Sequence, residues 1–315
     1  MILHLNRAGI VVTILTNAGG RVVSLRRQHG VNLLKSDSLY WDTSFPEPLS
    51  DCVNANIPPL NGHIVWLGPQ CDWWQQQDLQ PQLKSDTAQW PPDPYLIYGE
   101  NQVLSISPTR VVMAGPASPI SGVQLTKEVS ITSSGKVRFT VNARNTRQEP
   151  VSWDLWLNTR LTGSALCYIP IKTDGVRRIE SNFVPGAQTM PWEIADNTFS
   201  FLPGPPTNGA ELRHAKAYLD PSGSEFYAFT RQDMLTVRFE SYSSKQIHAT
   251  QTMVEIYNRQ TKQDADSLLE LEYHGPYRTL NPGESMSTAE EWEVRPYHGL
   301  ARSAAHLKFI RSLVS

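Results

Sequence analysis

The alternation of apolar and polar residues between Gly122 and Leu161 constrains this chain more than any other feature. GVQLTKEVSIT, GKVRFTVNARNT and EPVSWDLWLNTRL each repeat with a period of two, and polar turns at Ser133–Gly135 and Arg147–Pro150 separate them. Successive side chains of a strand point to opposite faces, so this period requires strands with one face on a core. In the third segment Trp153, Leu155, Leu157 and Thr159 alternate with Asp154, Trp156, Asn158 and Arg160. The second set, polar with one indole, predicts a ligand-facing row, because a solvated outer face more often carries Lys, Glu and Thr without Trp.

The same period recurs near the C-terminus. In LLELEYH, from Leu268, the period of two puts Glu270, Glu272 and His274 on one face and Leu269, Leu271 and Tyr273 on the other. A turn at Pro282–Gly283 and a closing strand around Trp292 follow. Two carboxylates one strand pitch apart, with an imidazole next in line, suit proton transfer or the holding of hydroxyl groups. The same pattern also describes the solvated face of an antiparallel strand.

Elsewhere the chain reads as short strands punctuated by Gly and Pro. Ile2–Leu5, Ile10–Leu15 and Arg21–Leu25 form an antiparallel meander, with Gly19–Gly20 free to take positive φ at a turn. Further strands are expected at Leu166–Pro170, Phe199–Leu202, Lys216–Leu219, Glu225–Thr230, Thr236–Glu240 and Gln251–Asn258. Residues 40 to 120 differ: Trp41, Trp66, Trp73, Trp74 and Trp90 lie among FPEPL, IPPL and WPPDP, and only Asn61–Leu67 and Gln102–Ser107 read as strands. Proline at this density argues for long ordered loops over a sheet. The indoles there either stack on sugar rings or seal the end of the sheet. Gly299 to Val314 is the one segment with helical spacing. No repeat and no shift in composition marks a linker, so a single domain over 1–315 is expected.

Composition narrows the partners. The net charge is −2, charged residues make up 18% of the chain, and no basic run exceeds Arg26–Arg27 or Arg177–Arg178. Nucleic acid and anionic membranes are therefore not the expected partners. No window approaches the length of a membrane span. The N-terminus lacks the pattern of a secretory signal, which predicts a cytoplasmic protein, or a periplasmic one if a leader preceded this start. Cys52, Cys71 and Cys167 show no metal-ligand spacing, so no metal or other cofactor is expected. Inert buried thiols are the expectation, with a Cys52–Cys71 bridge the alternative.

Three blocks carry a family resemblance: GIVVTILTNAGGRVVSLRRQHGVNLL, KEVSITSSGKVRFTVNARNTRQEPVSW and LLELEYHGPYRTLNPGESMSTAEEWEV. They resemble, in the same order, segments of the aldose 1-epimerases (galactose mutarotases) and their relatives, nearest an uncharacterised Trp-rich branch. The resemblance implies an all-β fold, a galactose mutarotase-like β-supersandwich of mainly antiparallel strands with one C-terminal helix. It implies a carbohydrate site on the concave face of the larger sheet. In that family a late-strand Glu takes the anomeric proton and a central-strand His protonates the ring oxygen. Glu270 matches the base, with Glu272 as alternate. The chain departs from the family at the acid, where Asn158-Thr159-Arg160 replaces the Asn-His pair. His63, in GHIVWLGPQ, is then a substitute acid or a satisfied structural histidine.

These residues define competing expectations. The first is a carbohydrate-binding, aldose 1-epimerase-like protein that interconverts anomers of a neutral sugar by acid–base catalysis through Glu270, Glu272 and His63. Trp66, Trp90, Asn158, Arg160, Lys216, Glu255 and His274 would bind the substrate. The second is a non-catalytic sugar-binding or sensing protein that uses the same face, with Asn258 among its contacts. Carbohydrate cleavage through Glu255 and Glu270 is a third.

Overall fold

The computed structural model describes the whole chain except residues 56, 182, 183, 231 and 315. The N-terminal meander is β1 (Ile2–Arg7), β2 (Ile10–Leu15) and β3 (Arg21–Arg27), followed by β4 (His63–Gly68). Next come β5 (Gln102–Ser107), β6 (Arg110–Ala117), β7 (Val123–Ile131), β8 (Val137–Asn145) and β9 (Val151–Thr162). A long β10 (Leu166–Glu180) leads to short β11 (Gln188–Thr189), β12 (Trp192–Ala195) and β13 (Thr198–Phe201). Then follow β14 (Leu212–Pro221), β15 (Glu225–Phe229), β16 (Asp233–Phe239) and β17 (Val254–Thr261). The last are β18 (Leu268–His274), β19 (Arg278–Leu280) and β20 (Ser285–Pro296).

The pairings build two large sheets. One runs β1–β2–β3–β4–β9–β18–β17–β14–β10. The other runs β5–β6–β7–β8–β20–β16–β15–β10. β10 belongs to both: Leu166–Tyr168 pairs with β15, and the stretch from Ile171 to Glu180 pairs with β14. Among the described residues the β11–β14 pairing is parallel and the others antiparallel. The apolar halves of the alternation meet in one core, with Leu157, Leu271 and Ile256 from the first sheet and Phe139, Val141 and Trp292 from the second. Each such side chain contributes roughly 1.5–3 kcal/mol by leaving water.

Three differences from the expected elements have local causes. β6, between two expected strands, pairs Arg110–Ala114 with β7, although Gly115 and Pro116 interrupt its alternation. Besides α3 (Ser303–Val314) at the C-terminus, two short helices stand in the Pro-rich region, α1 (Pro81–Ser85) and α2 (Pro94–Tyr98). Each starts on a proline whose φ is preset for a helix, and each is too short to display a period. The three cysteines are free, so Cys52 and Cys71 are not bridged. Among the described residues no helix is long and apolar enough to cross a membrane.

Candidate functional site

Directly opposed residues of antiparallel strands share a face, so the register alone sets which side chains meet. One transverse row runs Arg160, Glu270, Tyr257, Lys216, Glu180 across β9, β18, β17, β14 and β10. The next runs Ile64, Asn158, Glu272, Glu255, Tyr218, Arg178, starting one strand earlier on β4. A third is Trp66, Trp156, His274. Above these rows lies a cleft of about 940 Å³, lined by Trp66, Trp90, Trp156, Arg160, Lys216, Tyr218, Tyr257, Glu270 and Glu272 among others.

The floor is a chain of charges. Arg160 Nη2 lies 2.7 Å from Glu270 Oε1, while its Nη1 donates to Asn61 Oδ1 at 3.2 Å. Lys216 Nζ stands 2.7 Å from Glu255 and 2.9 Å from Glu272. Behind Glu255, His274 Nε2 is 3.6 Å away, and its Nδ1 is 3.4 Å from Asp154 Oδ1. Trp156 Nε1 donates to Glu272 Oε2 at 3.0 Å.

Burial and charge pull these groups apart. Burial would lift Glu255, but Lys216 and His274 outweigh it and hold its carboxyl well below the usual range. Burial is the largest influence on Glu272, and with Glu270 and Glu255 nearby it lifts that carboxyl to about 7 against the pull of Lys216. Burial alone would lower His274, yet Glu255 and Asp154 raise it to about 9. The ligand atoms of Glu255, Glu272 and His274 lie within 4.8 Å of one another, as metal ligands would. Lys216 already supplies the counter-charge between the two carboxylates.

Indoles wall one end. Trp66 stands edge-on to Trp156 at 4.9 Å and to Trp90 at 6.2 Å. The Arg160 guanidinium lies over Trp66 at 5.2 Å, and Lys216 Nζ over Trp156 at 4.7 Å. Trp73 and Trp74 do the other job expected of such residues and seal the structure: both are buried, donating to the carbonyls of Leu67 and Pro91.

Of the residues singled out from sequence, Trp66, Trp90, Arg160, Lys216, Glu270 and Glu272 line the cleft. Asn158, Glu255 and His274 share that sheet face but lie buried beneath the lining. His63 is not brought to the site. It opposes Thr159, so both point into the core, with His63 Nδ1 2.9 Å from Thr159 Oγ1 and the ring against Phe139 and Trp292. Burial holds this imidazole well below its usual range, and the residue lies outside the cleft lining among buried aromatic rings. Asn258 likewise faces inward and donates to the Gly163 carbonyl. Lys35, Tyr218, Tyr257 and Arg259 enter the lining without having been singled out. The three strand residues among them arrive through long-range register, and Lys35 from a loop tied to the carbonyls of Ala265 and Ser267.

This architecture is the galactose mutarotase-like fold. Similar solved structures include a galactose mutarotase-like protein from Clostridium acetobutylicum (TM-score 0.54, 11% identity, covering 94% of this chain and 95% of that one). Another, from Lactobacillus casei, gives a TM-score of 0.55 at 10% identity over 94% and 100% of the two chains. A galactose mutarotase related enzyme from Lactobacillus acidophilus gives 0.55 at 8% identity over 95% and 98%. The chain belongs to the DUF4380 family, a domain of unknown function whose model matches residues 2–295. No curated protein matches in sequence.

Proposed function

We propose that the cleft binds a neutral carbohydrate and that the protein is aldose 1-epimerase-like, interconverting anomers by acid–base catalysis on Glu272 and Glu270. One observation carries this reading: two carboxylates a strand repeat apart share the cleft floor in unlike surroundings, one paired with Arg160 and the other lifted towards neutrality. Such divergence separates acid from base. The two side chains leave the backbone about 6.7 Å apart, room for a carboxyl group on either side of an anomeric carbon with its two oxygens. Glu270 takes the anomeric hydroxyl proton, the electron pair forms the carbonyl as the bond from carbon to ring oxygen breaks, and Glu272 protonates that oxygen. Reclosure on the other carbonyl face reverses both transfers.

Further support comes from buried polar atoms left without partners among the described residues: both amide atoms of Asn158, Oε1 of Glu272, Nε1 of Trp66 and Nε of Arg160. Buried polar groups are rarely left so, and these gather under the cleft. Arg160 is already paired with Glu270, and Lys216 with Glu255 and Glu272, so neither cation stands ready for an anionic ligand, which favours a neutral one.

Saturation-transfer NMR on free aldoses tests the proposal. Accelerated anomer exchange, lost in both Glu270→Gln and Glu272→Gln, is the expected result. The sealing of His274 beneath Trp156, with no histidine among the described residues that line the cleft, favours a second reading as a binding protein without turnover. Sugar-induced shifts with no acceleration would establish that second reading instead.

A further inference from the structure

The cleft is longer than the chemistry requires. From Arg160 to Glu180 its floor crosses β9, β18, β17, β14 and β10, four interstrand spacings or about 19 Å along the sheet. Trp66, on β4, extends it by one strand more. One pyranose ring spans little more than one such spacing. The volume of about 940 Å³ also stands near the top of the roughly 300–1,000 Å³ range of small-molecule sites.

The proton-handling pair lies on β18, inside this floor and not at its end. A ring held over Glu270 and Glu272 therefore leaves floor uncovered towards β4. That end is built for contact: Trp90 is 60% exposed, 6.2 Å from Trp66 and 6.3 Å from Trp73, and it lines the cleft while its indole remains in water. An indole face gains by covering the C–H face of a sugar ring.

Resting on the carbohydrate reading, we infer that the ligand is an oligosaccharide, a chain longer than one sugar ring, whose reducing-end unit lies over Glu270 and whose preceding unit lies against Trp90. The reducing end belongs at β18 because only that unit has the free anomeric hydroxyl the reaction needs.

Calorimetric titration tests this with glucose, mannose and xylose against their β-1,4-linked di-, tri- and tetrasaccharides, and with the α-1,4-linked glucose series. The expected result is a trisaccharide bound about tenfold more tightly than its own monosaccharide, an advantage that Trp90→Ala largely removes. The exposed position of Trp90 keeps that variant folded, which its thermal midpoint checks. A monosaccharide bound as tightly as its oligomers overturns the inference and leaves the carbohydrate reading standing. If no sugar of any length binds, the carbohydrate reading falls and the inference falls with it.

Discussion

The ammonium of Lys216 lies between Glu255 and Glu272, 2.7 Å from one carboxylate and 2.9 Å from the other, although the two acids sit directly opposite each other on β17 and β18. Opposed like charges weaken a sheet, and the lysine reaches across from β14 to offset that repulsion. Lys216→Met strands two buried acids and is expected to cost about 3–5 kcal/mol in urea denaturation. Adding Glu255→Gln and Glu272→Gln to it should recover most of the loss. A single substitution without effect would show that the bridge contributes nothing to folding.

The core holds a further buried acid with the opposite need. Glu290 accepts a hydrogen bond from Trp292 Nε1 at 2.9 Å, and burial pushes its carboxyl up to about 8. Its folded value lies above its unfolded value of 4.5, so the native state keeps the proton longer and stability falls as pH rises from about 4.5 to about 8. The loss attributable to this group is on the order of 4 kcal/mol. Glu290→Gln should remove this part of the decline, while the part due to Glu272, lifted from 4.5 to about 7, remains. The contribution of His274, present below about 6.5 and lost towards about 9, should persist in the variant. Chemical denaturation at a series of pH values measures both.

Trp156 both walls the cleft and donates to Glu272 at 3.0 Å. Trp156→Phe keeps an aromatic ring but removes that donor, which favours the charged carboxylate. The Glu272 carboxyl should then titrate higher by up to about one unit, read from its ¹³C carboxyl resonance. A shift downwards would mean that the indole does not stabilise the ionised form.

Gly62 ties the loop bearing Lys35 to the strand bearing Arg160: its N–H donates to the Lys35 carbonyl at 2.8 Å, and its carbonyl accepts from the Arg160 N–H at 3.1 Å. Its φ is +79°, and a methyl group there would lie 2.3 Å from the Val22 carbonyl oxygen. Gly62→Ala should therefore cost at least about 2 kcal/mol, measured by denaturant midpoint, and weaken the sugar binding proposed for the cleft as well.

Much of the site was legible because a strand period is local information. Glu270, Glu272 and His274 share a face in the structure, as do Trp156, Asn158 and Arg160, and the sequence LLELEYH and WDLWLNTR is enough to say so. The same reasoning could not say which face of β4 meets the cleft. His63 sits on the side of Val65 and Leu67, and only the pairing with Thr159 shows that side to be the core. Tyr257, Tyr218 and Arg259 reach the floor through pairings between strands distant in the chain. Asn258 went the other way for the same reason, one residue out of step with Tyr257.

The order of strands in the floor has a consequence for biosynthesis. Along the chain β18 is the last of the six strands to be made, yet it lies between β9 and β17 in the middle of the floor. A nascent chain that ends before Leu268 contains β4 and β9 for one side and β10, β14 and β17 for the other, but not the strand that pairs between β9 and β17. β18 is a keystone, and it carries the two glutamates itself. Emergence of this one strand from the ribosome both closes the platform and brings in Glu270 and Glu272, so chains truncated before it lack the middle of the cleft floor.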